Sequence, residues 1–254
     1  MAAKKKTPAS KASPNVQVDP DRKRRAQEVA ERLAVAIERP VVELDFENPW
    51  QLIIATILSA QSTDKLINKV TPALFERFPT PAALAAADPA EVEDLVHATG
   101  FFRNKAKAIQ KTSQVLVDEF GGEVPKTIKE LIRLPGVARK TANVVLGDAF
   151  GIAEGVVVDV HVTRVVARLG LTEESDSARI ERALMDLYPK EEWIEGGMRL
   201  VLLGRYVCLS REPRCDACPL AEICPAQERM PEGSWQERAS RVGAVVESRG
   251  DTKL

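Results

Sequence analysis

The sequence predicts an all-α protein. Three observations predict it. Helix-opening pairs of a capping residue followed by proline recur along the chain, and apolar residues fall at three- and four-residue spacings. Only one short run, Val156-Val157-Val158, has the character of a strand, and three residues make a poor one. At 254 residues and 44% hydrophobic content, the chain can bury a real core in one large domain or two small ones.

The elements follow in order. Residues 1–21 read as a basic tail, with Lys4, Lys5, Lys6 and Lys11 among Ala, Ser, Thr and Pro; it is either solvated and disordered or an arm that touches phosphates weakly. Val29, Leu33 and Ile37 mark one face of a helix that ends before Pro40. Asn48-Pro49 opens the next, whose run from Leu52 to Leu58 is apolar nearly all round and so belongs in the centre of the core. A polar turn, Ser59 to Asp64, can cap the helix after it. Thr80-Pro81 and Asp88-Pro89 repeat the proline device. Gly100 interrupts, Arg103 to Glu119 resumes a helical pattern, and Gly121-Gly122 stops it. Thr127 can cap a short helix through Leu134, and a tight Pro135-Gly136 turn leads into a helix over Arg139 to Ala149. Arg179 to Leu187 and Glu191 to Val207 are the last predicted helices. After Pro225 the chain turns polar and is expected to fray, leaving residues 230–254 as a tail.

Composition excludes some functions. The net charge of −1 does not announce a nucleic-acid binder, so any such role needs basic residues gathered on one face. Two histidines, His97 and His161, leave little material for a histidine-rich metal site. No stretch approaches ~20 apolar residues, so no membrane span is expected, and the N-terminus lacks the apolar core of a secretory signal. A cytoplasmic location is the expectation, nucleoid-associated if the source is bacterial.

All four cysteines lie close together: Cys208, Cys215, Cys218 and Cys224, spaced C-x6-C-x2-C-x5-C, with Pro213, Pro219 and Pro225 keeping the segment from becoming helical. In a reducing compartment such a group reads as a metal site rather than disulfides. A tetrahedral zinc would accept four thiolates, as would a four-iron cluster; the single C-x2-C pair favours the cluster, since structural zinc sites usually carry two. Arg205, Arg211 and Arg214 flank these cysteines, as a solvated rim or as a basic loop that grips a DNA backbone.

Leu134-Pro135-Gly136-Val137-Ala138-Arg139-Lys140 lies between two helices. It is either an ordinary helix–helix turn or a hairpin that brings backbone N–H groups at a helix start close to a phosphate. Lys140 opens the second helix, where an amine beside a bound phosphate can reach the sugar. Asp159, after the buried valines, is an N-cap or a catalytic carboxylate, and the two roles are compatible. His161 reads as structural, because no serine or cysteine sits in a nucleophile elbow beside it.

At this point the residues resemble the endonuclease III family of helix-hairpin-helix DNA glycosylases. Leu134 to Leu146, Val158-Asp159, the four-cysteine spacing, Leu58 to Asp64 and Gly204 to Cys208 carry the resemblance, which covers roughly residues 22 to 229. It implies the helix-hairpin-helix glycosylase fold, a six-helix barrel and an iron–sulfur cluster domain with a DNA cleft between them. The barrel would span 42–153, with the hairpin at about 128–147. The cluster domain would be discontinuous, from 22–41 and 154–229. The resemblance implies a bifunctional glycosylase and abasic-site lyase acting on oxidised pyrimidines in double-stranded DNA, as a monomer. Lys140 would be the attacking amine, activated by burial and by Arg139. Asp159 would stabilise positive charge on the sugar or help activate the amine. Leu134, Gly136, Ala138 and Arg139 would hold the backbone, and Gln61 and Phe101 would fill the hole left by the flipped base; from the residues alone these two read equally as a polar helix terminus and a core phenylalanine. The cysteines would hold a 4Fe-4S cluster that positions DNA. Three departures stand out: Ala138 in place of the hairpin's second glycine, where a methyl is expected to strain the turn or crowd the phosphate; Val160 in place of threonine; and Phe101-Phe102 in place of an aliphatic–aromatic pair. A monofunctional glycosylase and a non-catalytic DNA-binding module are the competing readings.

Overall fold

A computed structural model describes residues 19–248. The Lys4–Lys11 arm lies outside the described residues.

Side-chain caps and prolines set the helix starts. Asp19 accepts from the Asp21 N–H ahead of α1 (Pro20–Ala36). Asn48, Thr80 and Asp88 act in the same way for α2 (Pro49–Leu58), α4 (Pro81–Ala85) and α5 (Pro89–Val96). Proline loses nothing at these first positions, because first-turn N–H groups have no intrahelical partner. Thr63 caps α3 (Asp64–Arg77) and Thr127 caps α7 (Ile128–Leu131), which is shorter than the sequence suggests. Between them runs α6 (Phe102–Phe120), closed by Gly121 in the left-handed region. After α8 (Arg139–Val144) come α9 (Val160–Arg168), capped by Asp159, α10 (Ser177–Leu187) and α11 (Trp193–Tyr206).

Two sequence expectations change here. The helix expected through Ala149 ends as α at Val144 and widens into a π-helical turn, Val145–Ala149, where Gly147 lies so close to Ile194 that a Cβ would stand 3.1 Å from it. Val156–Val158 is buried but pairs with no strand: among the described residues there is none, and a lone extended run has no ladder to join.

α2 is the centre of the first half. Leu52, Ile53, Ile54 and Leu58 are fully buried, each contributing about 1.5–3 kcal/mol by leaving water. It packs against α3, α6, α8 and the π turn. In the other half, α1 packs against α10 and α11, and α11 packs against α9.

The segment expected to fray is a helix. α12 (Trp235–Glu247) opens with a complete capping box between Ser234 and Glu237 and lies along α1. Ala239, Val242 and Val245 form its buried stripe, and Gly243 comes so near that a Cβ would meet the Ala36 carbonyl at 2.9 Å. Its polar composition hides this stripe from a composition argument. Arg238 of α12 is fully buried against the cysteine segment.

Candidate active site

Lys140 is the second residue of α8, and a tight turn delivers it. Leu134 is buried and accepts from the Val137 N–H at 3.0 Å. Gly136 has φ +83°, a conformation that favours glycine, while a Cβ there would make ordinary contact with Ala108 and Ile57 at 3.4 Å. Ala138 is the N-cap residue, at φ −90° and ψ 171° with no side-chain cap. That is ordinary extended backbone for alanine, so the strain expected of its methyl is absent. Ala138, Arg139 and Lys140 are all exposed, and the first N–H groups of α8 have no capping oxygen.

Lys140 and Asp159 line one cavity. It is open to solvent, and Thr56, Ser59, Val144 and Met198 also face it. Asp159 caps α9 while lining the cavity: its Oδ1 accepts from the N–H groups of His161 at 2.8 Å and Val162 at 2.9 Å, which fixes the carboxylate and leaves Oδ2 outside the cap. The cap and site readings of Asp159 are therefore geometrically compatible. The expected burial of the amine is corrected. Lys140 is exposed rather than buried, and Arg139 is spoken for, its Nε donating to the buried Glu181 at 2.6 Å. Glu181 also accepts from Asn143 at 2.7 Å, so it binds two residues of α8 to α10.

The same cavity is walled by an ion network that sequence reasoning missed. Arg205 donates to Glu43 at 2.5 Å and to Asp64, and the Tyr206 hydroxyl donates to the other oxygen of Glu43. Arg205 thus already faces two carboxylates, which a phosphate would have to displace. Glu43, Asp64 and Arg205 also line an adjoining open cavity of about 1190 Å³ with His161 and Lys65. Burial holds the His161 imidazole below its usual range, and Arg164 lies 3.1 Å from its Nδ1.

Gln61 and Phe101 stand on two turns. Both are exposed and both have left-handed backbone, with φ 57° and 47°, a conformation that costs an L-residue about 1–2 kcal/mol. Phe101 is 69% exposed, not a core residue; Phe102 packs against the core instead and meets the His97 ring at a tilt, with ring centroids 4.4 Å apart.

The four cysteines line one cavity. Among the described residues no three His, Cys, Asp or Glu side chains come close enough to share a single metal ion. Burial pushes the Cys218 thiol up to about 12 and raises that of Cys224, so thiolates here call for a cationic partner. Arg168 donates to Cys208 Sγ at 3.4 Å and to the Leu209 carbonyl at 2.6 Å. Arg214 donates to the Tyr206 carbonyl at 3.2 Å, and Arg211 is exposed.

Comparison with known proteins falls on these same elements. A family profile described as HhH-GPD superfamily base excision DNA repair protein matches residues 54–190. The chain is 52% identical to an endonuclease III of Synechocystis sp. over 207 residues, which is 82% of this chain and 94% of the relative. It is 37% identical to the endonuclease III of Escherichia coli over 203 residues, covering 80% of this chain and 96% of that one. Among solved structures it is similar to an endonuclease III in a non-covalent DNA complex, with a TM-score of 0.77, 42% identity, and coverage of 81% and 96% of the two chains. A trapped covalent endonuclease III–DNA intermediate, described as an estranged-adenine complex, matches with the same figures.

Proposed function

Because this chain belongs to the HhH-GPD superfamily of base excision DNA repair proteins, and within it to the endonuclease III family, we propose that it is a bifunctional DNA glycosylase and abasic-site lyase that removes oxidised pyrimidines and cuts the strand 3′ to the abasic site by β-elimination. The observation that carries this reading is the cavity shared by Lys140 and Asp159.

The damaged base is extruded at a cost of a few kcal/mol, least where pairing is already weak. Lys140, as the free amine, attacks the sugar C1′. The C1′–N bond breaks, the base departs with the electron pair and takes up a proton, and the amine loses one. Ring opening gives an iminium, loss of a C2′ proton follows, and the 3′ phosphate is expelled. Asp159, held by its two amide bonds, offers Oδ2 to the positive charge that grows on the sugar. The amine is exposed in the free protein, and bound DNA is what would cover it.

Leu134, Gly136, Ala138 and Arg139 form the hairpin whose uncapped N–H groups hold a backbone phosphate. Arg211 and Arg214 extend the grip, and Arg205 joins it by exchanging a carboxylate for a phosphate. Gln61 and Phe101 enter the gap left by the base. The four cysteines hold a 4Fe-4S cluster. A single zinc would hold its sulfurs at Zn–S near 2.3 Å, and the lack among the described residues of three such side chains close enough to share one ion supports the cluster reading. When bound, the cluster cross-links the segment and supplies no electron to the lyase step. We assign 42–153 to the barrel and 22–41 with 154–229 to the cluster domain, acting as a monomer on duplex DNA in the cytoplasm.

Borohydride trapping tests the reading. Mixing the protein with a duplex carrying one abasic site and adding the reductant should give a covalent adduct, and Lys140→Gln should give none. Intact binding without an adduct from the unaltered protein would overturn the lyase assignment in favour of a monofunctional enzyme or a binding module.

A further inference from the structure

The Gln61 and Phe101 turns are separated by a whole helical segment in sequence, yet one buried side chain joins them. Lys105, on the first turns of α6, is 6% exposed. Its Nζ donates to the Thr99 carbonyl at 2.6 Å and to Ser62 Oγ at 3.0 Å. Ser62 Oγ in turn donates to the Thr99 carbonyl at 2.5 Å. Ser62 follows Gln61 directly, and Thr99 lies two residues before Phe101. The three contacts therefore close a small triangle between the bases of the two turns.

The placement is demanding. A bulky residue in the left-handed region persists only where its surroundings fix it. Gln61 and Phe101 are two of the three non-glycine residues with positive φ among the described residues, and both point their side chains to solvent. An inward-turned lysine is itself uncommon, and burial lowers its ammonium below the usual range. Surface lysines on the same helix, such as Lys107 and Lys111, make no such inward contacts.

We propose that Lys105 is a positioning residue for lesion extrusion: it fixes the spacing of the Gln61 and Phe101 turns, so that both side chains enter the duplex together. This rests on the DNA reading above, and on the insertion of those two residues in particular. Lys105 touches no substrate. It acts through the two turns, so it governs the opening of a duplex and not the chemistry at Lys140.

The test uses Lys105→Met, which keeps the aliphatic stem and removes the donors, and Ser62→Ala, which removes the hydroxyl bridging to the Gln61 turn. The probe is a duplex with a stable abasic analogue opposite 2-aminopurine, whose fluorescence rises when it unstacks. Both variants should lose most of that rise. KM for cutting a duplex abasic site should increase about tenfold in Lys105→Met, the scale of one lost tie of this kind, with kcat near the original. Cutting of a single-stranded abasic oligonucleotide, which needs no insertion, should stay within about twofold. Unchanged fluorescence and KM in either folded variant would overturn the proposal, and so would an equal loss on single and double strands, which marks a merely structural lysine. If Lys105→Met does not fold, Ser62→Ala decides the question alone. The fluorescence arm requires no strand cleavage, so an unaltered protein that unstacks the probe but fails to cut a natural abasic site would sink the lyase reading and still judge Lys105.

Discussion

The cysteine segment and the paired turns are both stretches between α-helices held by buried cations, but the cations are held in opposite ways. At the cysteines, Arg238 donates to the Cys218 carbonyl at 2.9 Å and the Gly233 carbonyl at 2.6 Å, and pairs with Glu222 at 2.6 Å. Arg32 pairs with the same carboxylate at 2.6 Å and donates to the Pro219 carbonyl at 3.0 Å. Arg32 also pairs with Glu28 at 2.7 Å, so two acids balance two guanidiniums, and hydrogen bonds from Arg238 and Arg32 hold the Glu222 carboxyl below the usual range. At the turns, Lys105 meets a hydroxyl and a carbonyl, and no carboxylate is among the hydrogen-bond partners given above. The difference teaches that a balanced network holds more contacts and loses more when cut, whereas a cation on neutral oxygens is cheap in contacts and keeps its desolvation penalty.

The largest expected effect tests the balanced side. Arg238→Ala empties a fully buried site and leaves the carbonyls of Cys218 and Gly233 without their donor. The cavity and the unpaired groups together should cost about 3–5 kcal/mol in urea unfolding. The visible absorbance expected of the cluster should also fade faster in air, because the carbonyl released belongs to a cysteine. A loss below that of Lys105→Met would break the comparison.

The next effect asks whether unbalanced charge is a general feature of the barrel side. Asp148 is the acidic counterpart of Lys105. Burial pushes its carboxyl up to about 6 from 3.8, relieved only by the Val42 N–H. The folded chain therefore binds a proton there more tightly than the unfolded chain. The stability this contributes is present below about pH 4 and is lost as pH rises toward 6, up to about 3 kcal/mol. Asp148→Asn should remove that fall, seen as a flatter melting temperature between pH 4 and 7. An unchanged slope would show that Asp148 is better solvated than its burial suggests.

How much of this was legible beforehand follows from distance along the chain. The caps at Asn48, Thr63, Thr80 and Asp88 act over two or three residues, so sequence shows them directly. The fully buried α2 was legible because its apolar run is continuous. Lys140 and Asp159 were legible as members of motifs, and their shared cavity agrees with that reading without testing it. Glu43 was not, since Arg205 lies 162 positions away, nor was the Asn143–Glu181 pair, 38 apart. The exposure of Phe101 was hidden for another reason: composition assigns phenylalanine to a core, and only the left-handed turn places it outside. Arg238 was hidden twice, by a polar helix and by partners on a loop.

The smallest expected effect separates charge balance from contact number on the cluster side. Glu222→Gln keeps an oxygen for Arg238 and Arg32 but removes the negative charge between them. The Glu222 side chain is 42% exposed, so water screens much of the interaction. A loss of about 1 kcal/mol is expected in urea unfolding, well under that of Arg238→Ala, and it should shrink further in high salt. If the loss instead matched Arg238→Ala, the carboxylate and not the carbonyl contacts would be holding the cysteine segment. If adding Glu222→Gln to Arg238→Ala cost nothing more, Glu222 would act through Arg238 alone, and its bond to Arg32 would be a surface contact without weight.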